Sequence, residues 1–277
     1  MPTTANGNVS LYYEVFGSDA APVLLLVNGL GSQCINFKPE FCERFASRGF
    51  RVVRFDNRDV GLSSHLDGSA GYSIEDMAGD GFAVLDAVGA GAAHVAGWSM
   101  GGMIVQAMAI DRPERVVSMT SIMSTPGPPT GQRDDDVVAA FTAPPATTRD
   151  EAAERQIAGL KAWGSPSCFD VERITADAHA AFDRCWDPEG RQRQAMAIAT
   201  SPSRLEALRA LTVPSLVVHG DADRLIPLEF GRETAEAIPG ARFEVVEGMG
   251  HDYPPQYWDR IVDLVADHAA RASAKAG

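Results

Sequence analysis

Short apolar runs at residues 11–16, 23–27, 51–55, 94–98, 116–123, 214–218 and 243–246 alternate with helix-length amphipathic segments at 37–48, 74–88, 102–112, 228–238 and 257–269. Brief apolar stretches bounded by turn residues read as buried strands. Consecutive strands joined by a helix lie parallel, because only a parallel pair needs a crossover that long. The pattern predicts an α/β fold, a mostly parallel central sheet flanked by helices on both faces. Ligands of such sheets bind outside the carboxyl ends of the strands, so the residues just after each strand are the ones to search for chemistry.

The alternation breaks between residues 124 and 203. That stretch opens with Pro126-Gly127-Pro128-Pro129, breaks again at Pro144-Pro145, and then reads helical, with Val171, Ile174, Ala178, Phe182 and Trp186 at helical spacing. Residues 1–124 and 204–277 are expected to form one core, with 125–203 a helical cap inserted between two of its strands. An insertion there emerges at the active edge of the sheet and roofs the site.

Composition narrows the partners. The chain has 277 residues, 45% of them apolar, enough for one large α/β domain, and a formal net charge of −13. That charge repels nucleic acid and anionic membrane surfaces, and no Lys/Arg cluster reverses it locally. Residues 1–7 have no basic start or apolar core, and the run at 23–27 is too short to span a bilayer, so a cytoplasmic protein is expected. Cys34, Cys42, Cys168 and Cys185 form no C-x-x-C pair and are expected to be plain thiols. No metal or cofactor is expected.

Gly97-Trp98-Ser99-Met100-Gly101 stands at a strand-to-helix corner. Such a corner holds a serine in a strained, exposed conformation where an imidazole can reach it, and the two glycines let strand and helix approach closely. Ser99 is the candidate nucleophile. Its candidate base is His251, in the Gly248-Met249-Gly250-His251-Asp252 loop after the last strand and hence at the same sheet edge. His219 also ends a strand at that edge and is the rival; His65, His94, His179 and His268 are expected in structural or surface roles.

An imidazole that must hold one tautomer needs a carboxylate on its other nitrogen. His219-Gly220-Asp221-Ala222-Asp223 supplies two; Asp223 is preferred, with Asp221 closing the turn. Asn28-Gly29-Leu30-Gly31 ends the 23–27 strand, so the backbone N–H of Leu30 can pair with that of Met100 as an oxyanion hole. Trp98, Met103, Trp186, Met196 and Ile226 are candidates for an apolar acyl or alcohol pocket, although core packing accounts for each singly as well.

The order Ser99, Asp223, His251, with each residue after a different strand, resembles the α/β-hydrolase fold family over nearly the whole chain. Asn28 to Gly31 resembles the family's oxyanion loop, with Asn where His is usual. Asp56 to Ser63 resembles the loop after the fourth strand. Arg58-Asp59-Val60-Gly61 and Gly248 to His251 are similar to the capped esterases that include the aclacinomycin methylesterases. The resemblance implies a cofactor-free serine esterase acting on a small-molecule ester. Lactone opening, perhydrolysis, carbon–carbon bond hydrolysis and acyl transfer use the same triad, and a catalytically idle ligand-binding member would keep it too. Aspartate-nucleophile relatives are disfavoured by Ser99, and an aspartyl phosphatase by the late position of Asp221-Ala222-Asp223.

Overall fold

A computed structural model describes residues 2–67 and 71–276; residues 1 and 277, at the ends of the expected core, lie outside these. The described residues form an eight-stranded sheet: β1 (Thr3–Asn6), β2 (Val9–Phe16), β3 (Val23–Val27), β4 (Arg51–Phe55), β5 (Ala93–Trp98), β6 (Val116–Ile122), β7 (Ser215–Gly220) and β8 (Arg242–Val246). Its order is β1-β2-β4-β3-β5-β6-β7-β8. The β1–β2 and β2–β4 pairs are antiparallel, and every pairing from β4 through β8 is parallel.

β3 explains why the runs are solidly apolar rather than alternating. Successive side chains on a strand point to opposite faces, so Leu24 and Leu26 enter one cluster and Leu25 and Val27 the other, all four fully buried. On the first face Phe41 and Phe45 of α1 (Pro39–Ser47) and Ile261 and Val265 of α10 (Pro255–Ala276) cover Leu24 and Leu26. On the other, Phe82 and Leu85 of α2 (Ile74–Ala87) and Ile104 and Met108 of α3 (Met100–Asp111) cover Leu25 and Val27.

Between β6 and β7 the chain runs through α4 (Asp135–Thr142), α5 (Arg149–Trp163), α6 (Val171–Arg184), α7 (Pro188–Thr200) and the short α8 (Leu205–Arg209), before α9 (Leu228–Ala237) separates β7 from β8. Each long helix of the insertion starts where a side chain satisfies an orphan N–H: Thr148, Asp170 and Asp187 accept from the N–H groups of Glu151, Arg173 and Gly190.

Several boundaries differ from the pattern reading. Pro39 starts α1 at its favoured first position, with a separate 3₁₀ turn (Cys34–Asn36) ahead of it. α3 begins at Met100 rather than 102, and α10 runs to Ala276. β1 is an added edge strand whose Thr-Thr-Ala-Asn sequence carries no apolar run.

Two histidines far from the sheet's carboxyl edge make stability depend on acid. His94, the second residue of β5, contacts the Ser118 hydroxyl at 2.8 Å; His268 on α10 lies 3.2 Å from the Pro214 carbonyl oxygen. Burial pushes both imidazoles down to about 4. A buried histidine with a depressed pKa keeps its full contribution above the unfolded value near 6.5 and loses it as pH falls toward 4, because only the unfolded chain takes up the proton. Together they are expected to cost several kcal/mol of stability between pH 7 and 4.5. Urea midpoints across that range measure the loss; a flat profile would remove the argument.

Candidate active site

β5 hands over to α3 at Ser99, whose φ of 57° and ψ of −120° lie where residues with a Cβ are strained. The conformation is held from three sides. The Ser99 N–H donates to the Ile122 carbonyl at 2.9 Å, and the Ser99 carbonyl accepts from the Ser124 hydroxyl at 2.7 Å and the Gly102 N–H at 2.8 Å. The flanking glycines are steric necessities. A Cβ on Gly97 would stand 2.0 Å from the Gly101 carbonyl oxygen, and one on Gly101 would stand 2.0 Å from that of Val27.

The structure brings Ser99, His251 and Asp223 into one line. His251 Nε2 lies 2.9 Å from Ser99 Oγ, and its Nδ1 lies 2.7 Å from Asp223 Oδ2. The carboxylate fixes the proton on Nδ1, which leaves Nε2 free to accept from the serine hydroxyl. Asp223 Oδ1 accepts from the N–H groups of Leu225 and Ile226 at 2.9 and 2.8 Å. Burial alone would raise the Asp223 carboxyl, but the His251 charge and hydrogen bonding to His219 and His251 outweigh it and hold the pKa below its ordinary value.

His219 stands behind the carboxylate rather than beside the serine. Its Nε2–H donates to the Ile226 carbonyl at 2.8 Å, with Asp223 Oδ2 at 3.5 Å, and its Nδ1 packs against Gly231, where a Cβ would come within 2.3 Å. Asp221 closes the loop by accepting the Gly248 N–H at 2.7 Å. His65 reaches Asp187 at 2.7 Å and His179 lies 3.1 Å from Asp150. Asp59, His65 and Asp187 group closely enough to suggest a metal site, yet Arg193 already lies 2.9 Å from Asp59 and 3.3 Å from Asp187 and supplies the positive charge there. Cys34, Cys42 and Cys168 are buried free thiols and Cys185 a half-buried one.

The loop after β3 faces the serine closely: a Cβ on Gly29 would lie 3.1 Å from Ser99 Cβ. Asn28 anchors this loop, its side-chain amide donating to the Gln33 carbonyl at 3.0 Å while its own carbonyl accepts from Asn57 at 3.1 Å. Leu30 and Met100 border the same cavity as Ser99, and Met100, as the first residue of α3, has an N–H without an intrahelical acceptor.

The cavity above Ser99 has a volume of about 780 Å³. Met103 and Ile226 border it as expected, and so does Trp98, which is also packed among Phe37, Phe41 and Tyr253. Trp186 and Met196 do not border it. The Trp186 indole N–H donates to the Ala146 carbonyl at 3.0 Å and its ring lies on Phe182, while Met196 is 62% exposed on the outer face of α7. Val138, Phe141, Leu160, Trp163 and Ile198 supply the missing wall from α4, α5 and α7. The aromatic pair Phe141 and Trp163 was the available signal, in helices whose order over the site is not encoded locally.

The insertion also holds His251. The His251 N–H donates to the Trp163 carbonyl at 2.7 Å, the Gly250 N–H to Ser165 Oγ at 2.9 Å, and Ser165 N–H and Oγ–H both reach Asp252 Oδ1, at 2.8 and 2.5 Å. Gly250 passes so close to Gly164 that a Cβ would stand 2.3 Å from the latter's carbonyl carbon. Ser165→Ala strips two partners from this buried junction and is expected to cost roughly 1–3 kcal/mol of stability, with kcat falling more than KM changes. Thermal melts and steady-state kinetics measure both; unchanged values would make the junction incidental.

A model of the alpha/beta hydrolase fold family matches residues 22–253. The chain belongs to the α/β-hydrolase family. It is 31% identical to the rhodomycin D methylesterase DauP of Streptomyces sp. strain C5, over 99% of this chain and 100% of that protein. It is 27% identical to a putative carbamate hydrolase RutD of Variovorax paradoxus, over 95% of this chain and 97% of that one. Among solved structures it resembles the enol-lactonase of Burkholderia xenovorans LB400 with a TM-score of 0.80 and 26% identity, over 97% of this chain and 100% of the other.

Proposed function

We propose that this protein is a serine esterase that cleaves a carboxylic ester of a small or medium, largely apolar substrate through an acyl-enzyme. The observation that carries the reading is the hydrogen-bonded line Ser99–His251–Asp223 at the floor of a cavity walled by apolar side chains. The likeness to the methylesterases supports it.

Ser99 Oγ attacks the ester carbonyl as its proton passes to His251 Nε2. The carbonyl electrons move onto oxygen, where the N–H groups of Leu30 and Met100 stabilise the negative charge; such a donor is worth on the order of 3 kcal/mol in related chemistry. Collapse of the intermediate breaks the bond to the alcohol oxygen, which leaves with the proton from His251. Water, deprotonated by His251, then attacks the acyl-serine, and the acid departs with the proton returned to Ser99. Asp223 stabilises the imidazolium in both halves. The insertion acts as a cap that excludes bulk water and shapes the pocket. Every role is filled by a side chain or amide, so no metal is required.

A fluorophosphonate probe tests the reading. Wild type should gain the mass of one adduct on Ser99, and the Ser99→Ala protein none. Hydrolysis of 4-nitrophenyl esters of increasing chain length, beside lactones and bulky methyl esters, then separates ester cleavage from lactone opening. An unlabelled wild type would leave a ligand-binding member of the fold.

A further inference from the structure

We propose that Arg191 is the docking point for a carboxylate carried by the substrate, so that the natural substrate is an ester with a free acid group away from its scissile carbonyl. The proposal rests on the reading of Ser99 as the nucleophile and specifies what that site accepts.

The chain carries a net charge of −13, yet its active-site cavity has the opposite balance: Lys38, Arg133, Arg173 and Arg191 border it against Asp177 and Asp252. Most of these charges are already engaged. Lys38 and Arg173 share Asp177, at 2.7 and 3.6 Å, Asp252 is taken up by Ser165, and Arg133 donates to the Leu225 carbonyl at 2.9 Å. Among the described residues no carboxylate or carbonyl accepts from the Arg191 guanidinium. Its neighbours in the same insertion behave differently: Arg184 pairs with buried Asp56 at 2.7 Å and Arg193 with buried Asp59 at 2.9 Å.

Arg191 is nevertheless held in place. Its guanidinium lies over the Phe141 ring at 5.4 Å, and its stem crosses Gly31, where a Cβ would come within 3.1 Å of Cγ and Cδ. Gly31 is fixed in turn by Gln194, which accepts its N–H at 2.8 Å. The stem therefore passes over the loop that carries Leu30, beside the reaction centre. Burial and the charge of Arg155 both press the Arg191 pKa down, so the cation is poorly compensated. A planar fork held on an aromatic face, uncompensated and bordering a cavity, suits a carboxylate, which accepts two parallel N–H bonds. The ordering cost of the side chain is already met by Phe141 and Gly31, which favours affinity.

The test uses Ser99→Ala protein, so that binding is read without turnover. Calorimetry compares the 4-nitrophenyl half-esters of glutarate, adipate and suberate with the neutral 4-nitrophenyl pentanoate, hexanoate and octanoate. At least one half-ester is expected to bind about tenfold or more tightly than its neutral counterpart, as for a charge-assisted contact. Arg191→Gln and Arg191→Met, checked for folding by thermal melt, should abolish that ratio, and Arg191→Lys should retain part of it. No preference in any pair, or a preference that survives both neutral substitutions, overturns the proposal. Fluorophosphonate labelling of wild type separates the two readings: a labelled enzyme without acid preference keeps the esterase and loses the Arg191 site, whereas acid-selective binding by a protein that never labels does the reverse.

Discussion

Ser99→Ala is expected to lower kcat toward a scissile ester by on the order of 10⁶, because it removes the hydroxyl that His251 Nε2 contacts at 2.9 Å. The fold should survive. The strained backbone at Ser99 is held by its own N–H and carbonyl, through Ile122, Ser124 and Gly102, and none of these bonds uses the hydroxyl. The variant loses one partner of His251 Nε2 and nothing structural. Turnover by active-site-titrated protein, with thermal melts alongside, measures the effect, and persistent turnover on the variant would remove the acyl-enzyme from the mechanism.

Asp223→Asn carries the second largest expectation, about 10⁴ in kcat at neutral pH. An amide there keeps one acceptor oxygen but can offer an N–H donor toward His251 Nδ1. The ring then takes the tautomer with its proton on Nε2, and the serine faces a donor instead of an acceptor. Asp221→Asn is the control. Its side chain closes the loop on the Gly248 N–H, an acceptor role that the amide oxygen retains, so a change of about tenfold or less is expected. The two carboxylates are two residues apart in one loop, yet only Asp223 meets His251. A reversed ranking of the two variants would reassign the acid.

How much of the fold is legible in the sequence follows from where the information resides. The apolar runs encode the strands because both sheet faces are buried, as at Leu24 through Val27. Ser99 and His251 stood out because each lies just after a strand end, a position fixed by local sequence and topology. The choice of His251 over His219 rested on how far a loop reaches, and the structure has His219 turned toward Ile226 behind the carboxylate. β1 has no counterpart among the apolar runs, because a short polar edge strand shows no periodic signal. Trp186 and Met196 were misplaced for a different reason: helical spacing says which residues share a face, but which face meets the core depends on long-range packing. Phe141, Trp163 and Arg191 reach the cavity through that same packing: the aromatic pair is visible in the sequence, but its place over the site is not.

The close passage of Gly164 against Gly250 has a consequence for how such enzymes diversify. The segment that supplies much of the pocket wall also steadies the imidazole, through the Trp163 carbonyl and Ser165. Grafting a foreign insertion onto this core would exchange selectivity and reactivity in one stroke, unless residues 163–165 travel with the loop they hold.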